Sequence, residues 1–310
     1  MPTTDFKSFD LSLQQETFQY RTPMKFGGRV VEDVTVLTVD CDAESGRGRG
    51  KGVGSMTMGV AWAWPDPEIP GDRKLTVVID LCKRMLDAFL SGDPLGHPLD
   101  VCHRIGAVRS QLADEVARQH QLDGKIPELA QLLAVSPIEA ALFDAHGKAA
   151  GASSYQLLDR EHLPMDLSHY LGTGFEGVFL GDLIASSPTP SMPLYHLVGA
   201  LDPLTDDDVQ QPVGDGLPET LGQWIQRDGL THLKIKLAGD DLAWDVRRVQ
   251  RVNEVADAAR DGDPSHAWSF SLDFNERCED EAYVLELLDQ LESETPAALD
   301  RVGYIEQPTH

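Results

Sequence analysis

Lys234 and Lys236 stand one residue apart in the apolar stretch HLKIKLAG, residues 232–239. Lysine is seldom buried without a partner or a task. Residues i and i+2 of a strand share a face. Both ammonium groups therefore point one way, while Leu233, Ile235 and Leu237 point the other. The same parity groups Asp273 with Asn275 at the end of SFSLDFN, and Tyr304 with Glu306 at the end of VGYIEQP. Asp273 and Glu306 are hard oxygen ligands of the kind that suit Mg²⁺. A cation held there can bind a substrate carboxylate and stabilise the enediolate left when the α-proton is removed. A lysine can take that proton once its pKa is lowered, and a second ammonium nearby pushes it down.

The elements that must position these residues alternate. From about residue 191 the chain reads strand MPLYHLVGA, helix PETLGQWIQRDG, strand THLKIKLAG and helix LAWDVRRVQRVNEVADAAR. Strand WSFSLDFNE, helix DEAYVLELLDQLES and strand VGYIEQP complete the series. Strand–helix units in series imply parallel strands with helical crossovers. Four strands and three helices fit the first half of a (β/α)₈-type barrel. There the outer face packs on helices, so the polar parity faces inward, and chemistry sits at the C-terminal ends of the strands. Plainer readings exist for each residue alone: an edge strand for the lysines, a turn for Asp273 or Asn275, a surface pair for Glu306. The recurrence on three consecutive strands favours one shared site.

The first third is β-rich, with VVEDVTVLTVDCD alternating as a strand. GRGRGKGVGSMTMG, which follows, lacks the spacing of a phosphate-binding loop: Ser45 stands where the first glycine belongs, and Gly52 follows Lys51. A turn between strands is expected instead. KLTVVIDLCKRMLDAFL and VCHRIGAVRSQLADEVARQ carry helical spacing. In SPIEAALFDAHGKAAG, Ser136 reads as an N-cap, Pro137 as the first helical residue and Glu139 as the partner in a capping box. Asp144 and Lys148 form an i,i+4 pair, and Gly151 ends the helix. His146 on this helix reads as a packing or surface residue rather than a catalytic one. Residues 159–190 have turn residues and little periodicity, and read as an insertion or linker. No internal repeat or low-complexity tract is present.

Composition limits the partners. The 310 residues are 41% hydrophobic and carry 51 acidic against 26 basic side chains, for a net charge of −25. That excludes nucleic acid as the expected partner, because phosphate binding needs basic surface. No apolar run approaches the ~18 residues of a membrane span, and the N-terminus MPTTDFKSFD lacks a signal-peptide pattern. Cys41, Cys82, Cys102 and Cys278 form no CxxC pair. The expectation is a cytoplasmic protein acting on a small carboxylate-containing substrate, with no membrane partner and with homo-oligomerisation left open.

The ordered trio KIK, DFN and IEQP on consecutive strands resembles the enolase superfamily, in its mandelate racemase/muconate lactonizing enzyme branch. SPIEAALFDAHGKAAGASSYQLL is similar to the helix closing that family's N-terminal capping domain, and YRTPMKFGG resembles its mobile specificity loop. The resemblance implies an α/β protein: an α+β capping domain over residues 1–158, the linker over 159–190, and the first half of a modified (β/α)₇β-type TIM barrel over 191–310. It implies Mg²⁺ on Asp273 and Glu306, Lys236 as the base, and Lys234 as its helper and a contact of the substrate carboxylate. Asn275 becomes a polar neighbour of the metal site, and Tyr20, Arg21 and Lys25 contacts of the distal part of the substrate. The implied activity is proton abstraction α to a carboxylate, of racemase, epimerase or cycloisomerase type. Sugar-acid dehydration is the enzymatic alternative, and a catalytically inactive fragment or binding module the non-enzymatic one. The family also uses a third carboxylate on the next strand and a second acid/base beyond it. Neither is found in these 310 residues, so the sequence is expected to be a C-terminally truncated form of a longer enzyme.

Overall fold

Glycines at 50, 52 and 54 decide how the first layers meet. In the computed structural model, which describes residues 2–26, 29–185, 187–260 and 267–309, they lie on β3 (Arg49–Thr57) against a helix, α5 (Glu128–Ala150). A Cβ on Gly52 would stand 2.2 Å from the Ala141 carbonyl oxygen and 2.3 Å from the Ala145 amide nitrogen. Only a strand without side chains on that face can approach so closely. The expected turn is thus confined to residues 46–48, and the rest of the glycine-rich stretch is strand.

β1 (Phe6–Phe26) and β2 (Arg29–Ser45) complete a three-stranded sheet in the order β1-β2-β3. β2 and β3 are antiparallel, with Val39 opposite Gly54. Leu37, Val39, Cys41 and Ala43 alternate into the core, where Val77, Leu81 and Met85 of α2 (Gly71–Ser91) join them. α1 (Val60–Ala63) precedes α2; α3 (Pro98–Gly106) and α4 (Arg109–Gln119) follow it. The single helix expected over residues 101–119 is broken at 107–108. α5 begins nine residues earlier than expected. Ser136 does not cap it; its hydroxyl donates to the Leu132 carbonyl, and Pro137 lies inside the helix. Apolar packing on both sides sustains the helix through the proline. Gly151 does end it, at φ +69°, and Lys148 pairs with Asp144 at 2.7 Å. Residues 159–185 hold short helical turns, including α6 (Ser168–Leu171).

A second sheet has four parallel strands in sequence order: β4 (Tyr195–Val198), β5 (His232–Lys236), β6 (Ser269–Asp273) and β7 (Val302–Glu306). α7 (Leu221–Asp228), α8 (Leu242–Ala259), and α9 (Glu281–Glu294) with α10 (Pro296–Leu299) form the crossovers. Thr220 caps α7 and Gly229 ends it, while Asp241 and Asp280 cap α8 and α9. Leu233, Ile235, Phe270 and Leu272 are fully buried against these helices. A bulge at Phe270/Ser271 lets both Val302 and Ile305 of β7 reach the same core, although two residues lie between them.

The chain divides into two compact units, Met1–Phe18 with Asp33–Pro188, and Gln19–Glu32 with Thr189–His310. The fold class expected from the sequence, an α+β layer followed by the parallel strands of a partial barrel, is the one observed. No helix among the described residues is long and apolar enough to cross a membrane. All four cysteines are buried and free.

Candidate active site

The parity argument places the lysines on the face of the sheet opposite the helices, and the register layers them. Lys236 of β5 lies opposite Asp273 of β6, and Asp273 opposite Glu306 of β7. One layer below stand Lys234, Ser271 and Tyr304. In the layer beneath, the Tyr195 and Ser269 hydroxyls are hydrogen-bonded at 2.7 Å.

Four charged groups converge at the strand ends. The Lys236 ammonium donates to Asp273 Oδ2 at 2.5 Å and to Asn275 Oδ1 at 3.1 Å. Lys234 donates to both Glu306 oxygens, at 2.7 and 2.6 Å, and lies 3.0 Å from Asp273 Oδ2. Asp273 is wholly buried and Lys236 nearly so. Burial raises the Asp273 carboxyl, but the hydrogen bonds from Lys236 and Lys234 outweigh it and hold the group below its ordinary range. Burial likewise pulls Lys234 down, and its bonds to Glu306 and Asp273 more than restore it. Contact with the two carboxylates governs Lys234.

The backbone around this cluster is unusual. Four non-glycine residues among those described have positive φ, and three are Asn275, Glu276 and Gln307, directly beyond Asp273 and Glu306. Such conformations persist where the surroundings over-determine them. Here the Asn275 amide donates to Asp273 Oδ1 at 3.0 Å, and the Glu276 amide to the Gln307 carbonyl at 2.7 Å. The loop after Lys236 is held by buried Asp245, which accepts from the Ala238 and Gly239 amides and from the Tyr283 hydroxyl. Gly239 has φ +73°, and a Cβ there would fall 2.6 Å from the Arg277 Cβ. Only glycine meets both conditions.

A small cavity opens beside Lys236 and Asn275, with Lys25, Arg277, Leu237 and Phe274 among its lining. Lys25, expected to meet the distal part of a substrate, lines this cavity with Lys236. Arg21 does not line this cavity. Its guanidinium binds Asp215 through two hydrogen bonds, at 2.7 and 2.9 Å, and donates to the Pro218 carbonyl. That contact draws the Asp215 carboxyl down to about 2. Arg21 lines a second cavity with His196 and Trp224, and half-buried Tyr20 lines neither. Residues 20–25, expected as a mobile loop, are the end of strand β1. Arg277 and Asp245 escaped the sequence reading. The only signal for Arg277 was its place two residues beyond Asn275, and Asp245 is one acid among many on an amphipathic helix.

Asp273 and Glu306 suit a hard divalent cation: two carboxylates, opposite each other on adjacent strands, with the Asn275 amide oxygen nearby. Among the described residues no cluster of three or more His, Cys, Asp or Glu could hold a metal. The two carboxylates would thus need oxygens from water or substrate, as Mg²⁺ commonly takes.

No protein-family model matches the sequence, and no curated protein does. Solved structures match throughout the chain. The dipeptide epimerase of Methylococcus capsulatus, complexed with Mg and the dipeptide L-Arg-D-Lys, is 18% identical with a TM-score of 0.54, over 97% of this chain and 61% of that one. The L-Ala-D/L-Glu epimerase of Bacillus subtilis gives 17% and 0.55 over the same shares. The muconate lactonizing enzyme of Pseudomonas fluorescens, complexed with muconolactone, gives 18% and 0.51, over 98% of this chain and 60% of that one. These neighbours are enolase-superfamily enzymes of the branch that the KIK, DFN and IEQP trio resembles. At such identities the likeness establishes the fold. The chain spans about three fifths of the length of each.

Proposed function

We propose that this chain carries part of the active site of an Mg²⁺-dependent enolase-superfamily isomerase, which removes the proton α to a substrate carboxylate. The observation that carries the reading is the convergence of Lys234, Lys236, Asp273 and Glu306 at the ends of three adjacent parallel strands. Racemisation, epimerisation or cycloisomerisation is favoured over sugar-acid dehydration by the paired lysines, and the three solved neighbours above belong to the former classes.

Asp273 and Glu306 hold the cation in this reading, with Asn275 beside them. The cation supplies positive charge that offsets what builds on the substrate carboxylate as its α-carbon is deprotonated. Lys236 is the base. It is the more buried of the two lysines, and Leu237 and Phe274 line the cavity beside it. Lys234 orients the substrate carboxylate beside Lys236. A cation held by Asp273 and Glu306 would compete with Lys234 and Lys236 for the same two carboxylates.

The metal site is tested by calorimetric titration of the chain with Mg²⁺. Saturable binding is expected, weakened at least about ten-fold in the Asp273→Asn, Glu306→Gln double variant, since each carboxylate supplies a charged ligand. Equal binding by wild type and variant would leave the inactive-fragment alternative standing.

A further inference from the structure

Two imidazoles and a phenol meet within the first unit. His103 lies in the last turn of α3, and His169 and Tyr170 lie in α6. The imidazole centroids are 5.3 Å apart, and Tyr170 stands edge-on to both rings, at 5.1 and 4.9 Å. The Tyr170 hydroxyl donates to Asp100, about one turn before His103 on α3. The approach to α6 is fixed as well: Asp166 accepts from the Ser168 and Gly177 amides, and Leu167 is buried. Both histidines are exposed, yet neither ring makes a hydrogen bond or ion pair with a described residue. Their ring nitrogens are uncommitted. The residues flanking His103 face elsewhere: Arg104 donates to the Asp93 and Leu95 carbonyls, and Cys102 is buried in the core.

Neutral imidazole is a ligand for borderline divalent cations, whereas Mg²⁺ prefers oxygen. Two imidazoles on one tetrahedral Zn²⁺, each nitrogen ~2.0–2.1 Å from the metal, set their ring centres roughly 5 Å apart. His103 and His169 already have a separation of that size. Chelation therefore needs rotation of exposed rings and no backbone movement. Tyr170 keeps the two rings together, so little ordering is left for a metal to impose. We propose that His103 and His169 form a site for a Zn²⁺-class cation, which ties α6 to α3. No third His, Cys, Asp or Glu among the described residues joins them. Water fills the remaining positions, and the affinity is micromolar rather than that of a closed four-ligand site. The net charge of −25 favours a cation on this surface.

Calorimetric titration with ZnCl₂ at neutral pH, in excess Mg²⁺ to occupy oxygen ligands, tests the site. Wild type should bind one equivalent in the micromolar range. His103→Ala and His169→Ala should each weaken that equivalent at least about ten-fold. His169→Phe should weaken it as much, because it keeps a ring against Tyr170 and removes only the nitrogens. Both positions are exposed, so none of these substitutions threatens folding. Zn²⁺ should also slow amide hydrogen exchange over residues 166–172 in wild type and leave it unchanged in His169→Phe. A wild type without the micromolar equivalent, or any of the three variants that retains it, overturns the site. Exchange over residues 166–172 that is indifferent to Zn²⁺ overturns the tie between the helices.

Discussion

His97 and His146 sit buried in the first unit with ring centroids 4.6 Å apart. The Nδ1 of His97 accepts from the Leu99 amide, which leaves Nε2 to donate to the Leu157 carbonyl at 3.1 Å. Burial lowers His97 to about 4. Burial and then proximity to His97 lower His146 to about 3. Both are therefore neutral in the fold at pH 6, while the unfolded chain begins to take up protons near 6.5. Their contribution to stability is complete above pH 6.5 and is lost as the pH falls through about 4 and then about 3. Asp5, raised to about 6 by burial, acts in the opposite sense. Urea denaturation at stepped pH should accordingly show a shallower acid decline in His146→Met than in wild type; parallel curves would mean that His146 takes no part. The site residues were legible for one reason. Lys234, Lys236, Asp273 and Glu306 obey a period of two, which survives any sheet. The Arg21–Asp215 pair was not legible, because a partner 194 residues away leaves no local mark.

At the scale of elements, alternation and capping carried most of the second unit. Thr220, Asp241 and Asp280 stand at the helix starts, and Gly229 ends α7. The first unit was harder. Its capping-box signal at Ser136 was a false start, because tertiary packing continues α5 through Pro137. Its glycines read as a turn although they form a contact surface. That surface gives a sharp expectation. Gly52→Ala must push β3 off α5, since the new methyl meets backbone atoms of Ala141 and Ala145. It should cost about 3 kcal/mol or more. Gly106→Ala, at the end of α3 with nothing within 4 Å, should be neutral or stabilising by up to about 1 kcal/mol. Denaturant midpoints of the two variants check both; equal midpoints would remove the close-packing role of the stripe.

For the whole molecule, a charge of −25 disfavours an anionic ligand everywhere except where cationic side chains are gathered. The parallel sheet gathers them at the ends of its strands. The resemblance carried by KIK, DFN and IEQP led to a fold that solved enzymes share at 17–18% identity. No family model reaches it, because the shared signal is a few residues at fixed strand positions rather than continuous similarity. The central claim is that Lys236 takes a proton α to a carboxylate. It is tested with the protein at the full length its cell makes. That protein is incubated with Mg²⁺ in D₂O with a panel of α-hydroxy and α-acylamino carboxylates, and deuterium at the α-carbon is followed by NMR. The account predicts exchange with wild type and its loss in Lys236→Ala. Exchange that persists in Lys236→Ala would contradict it.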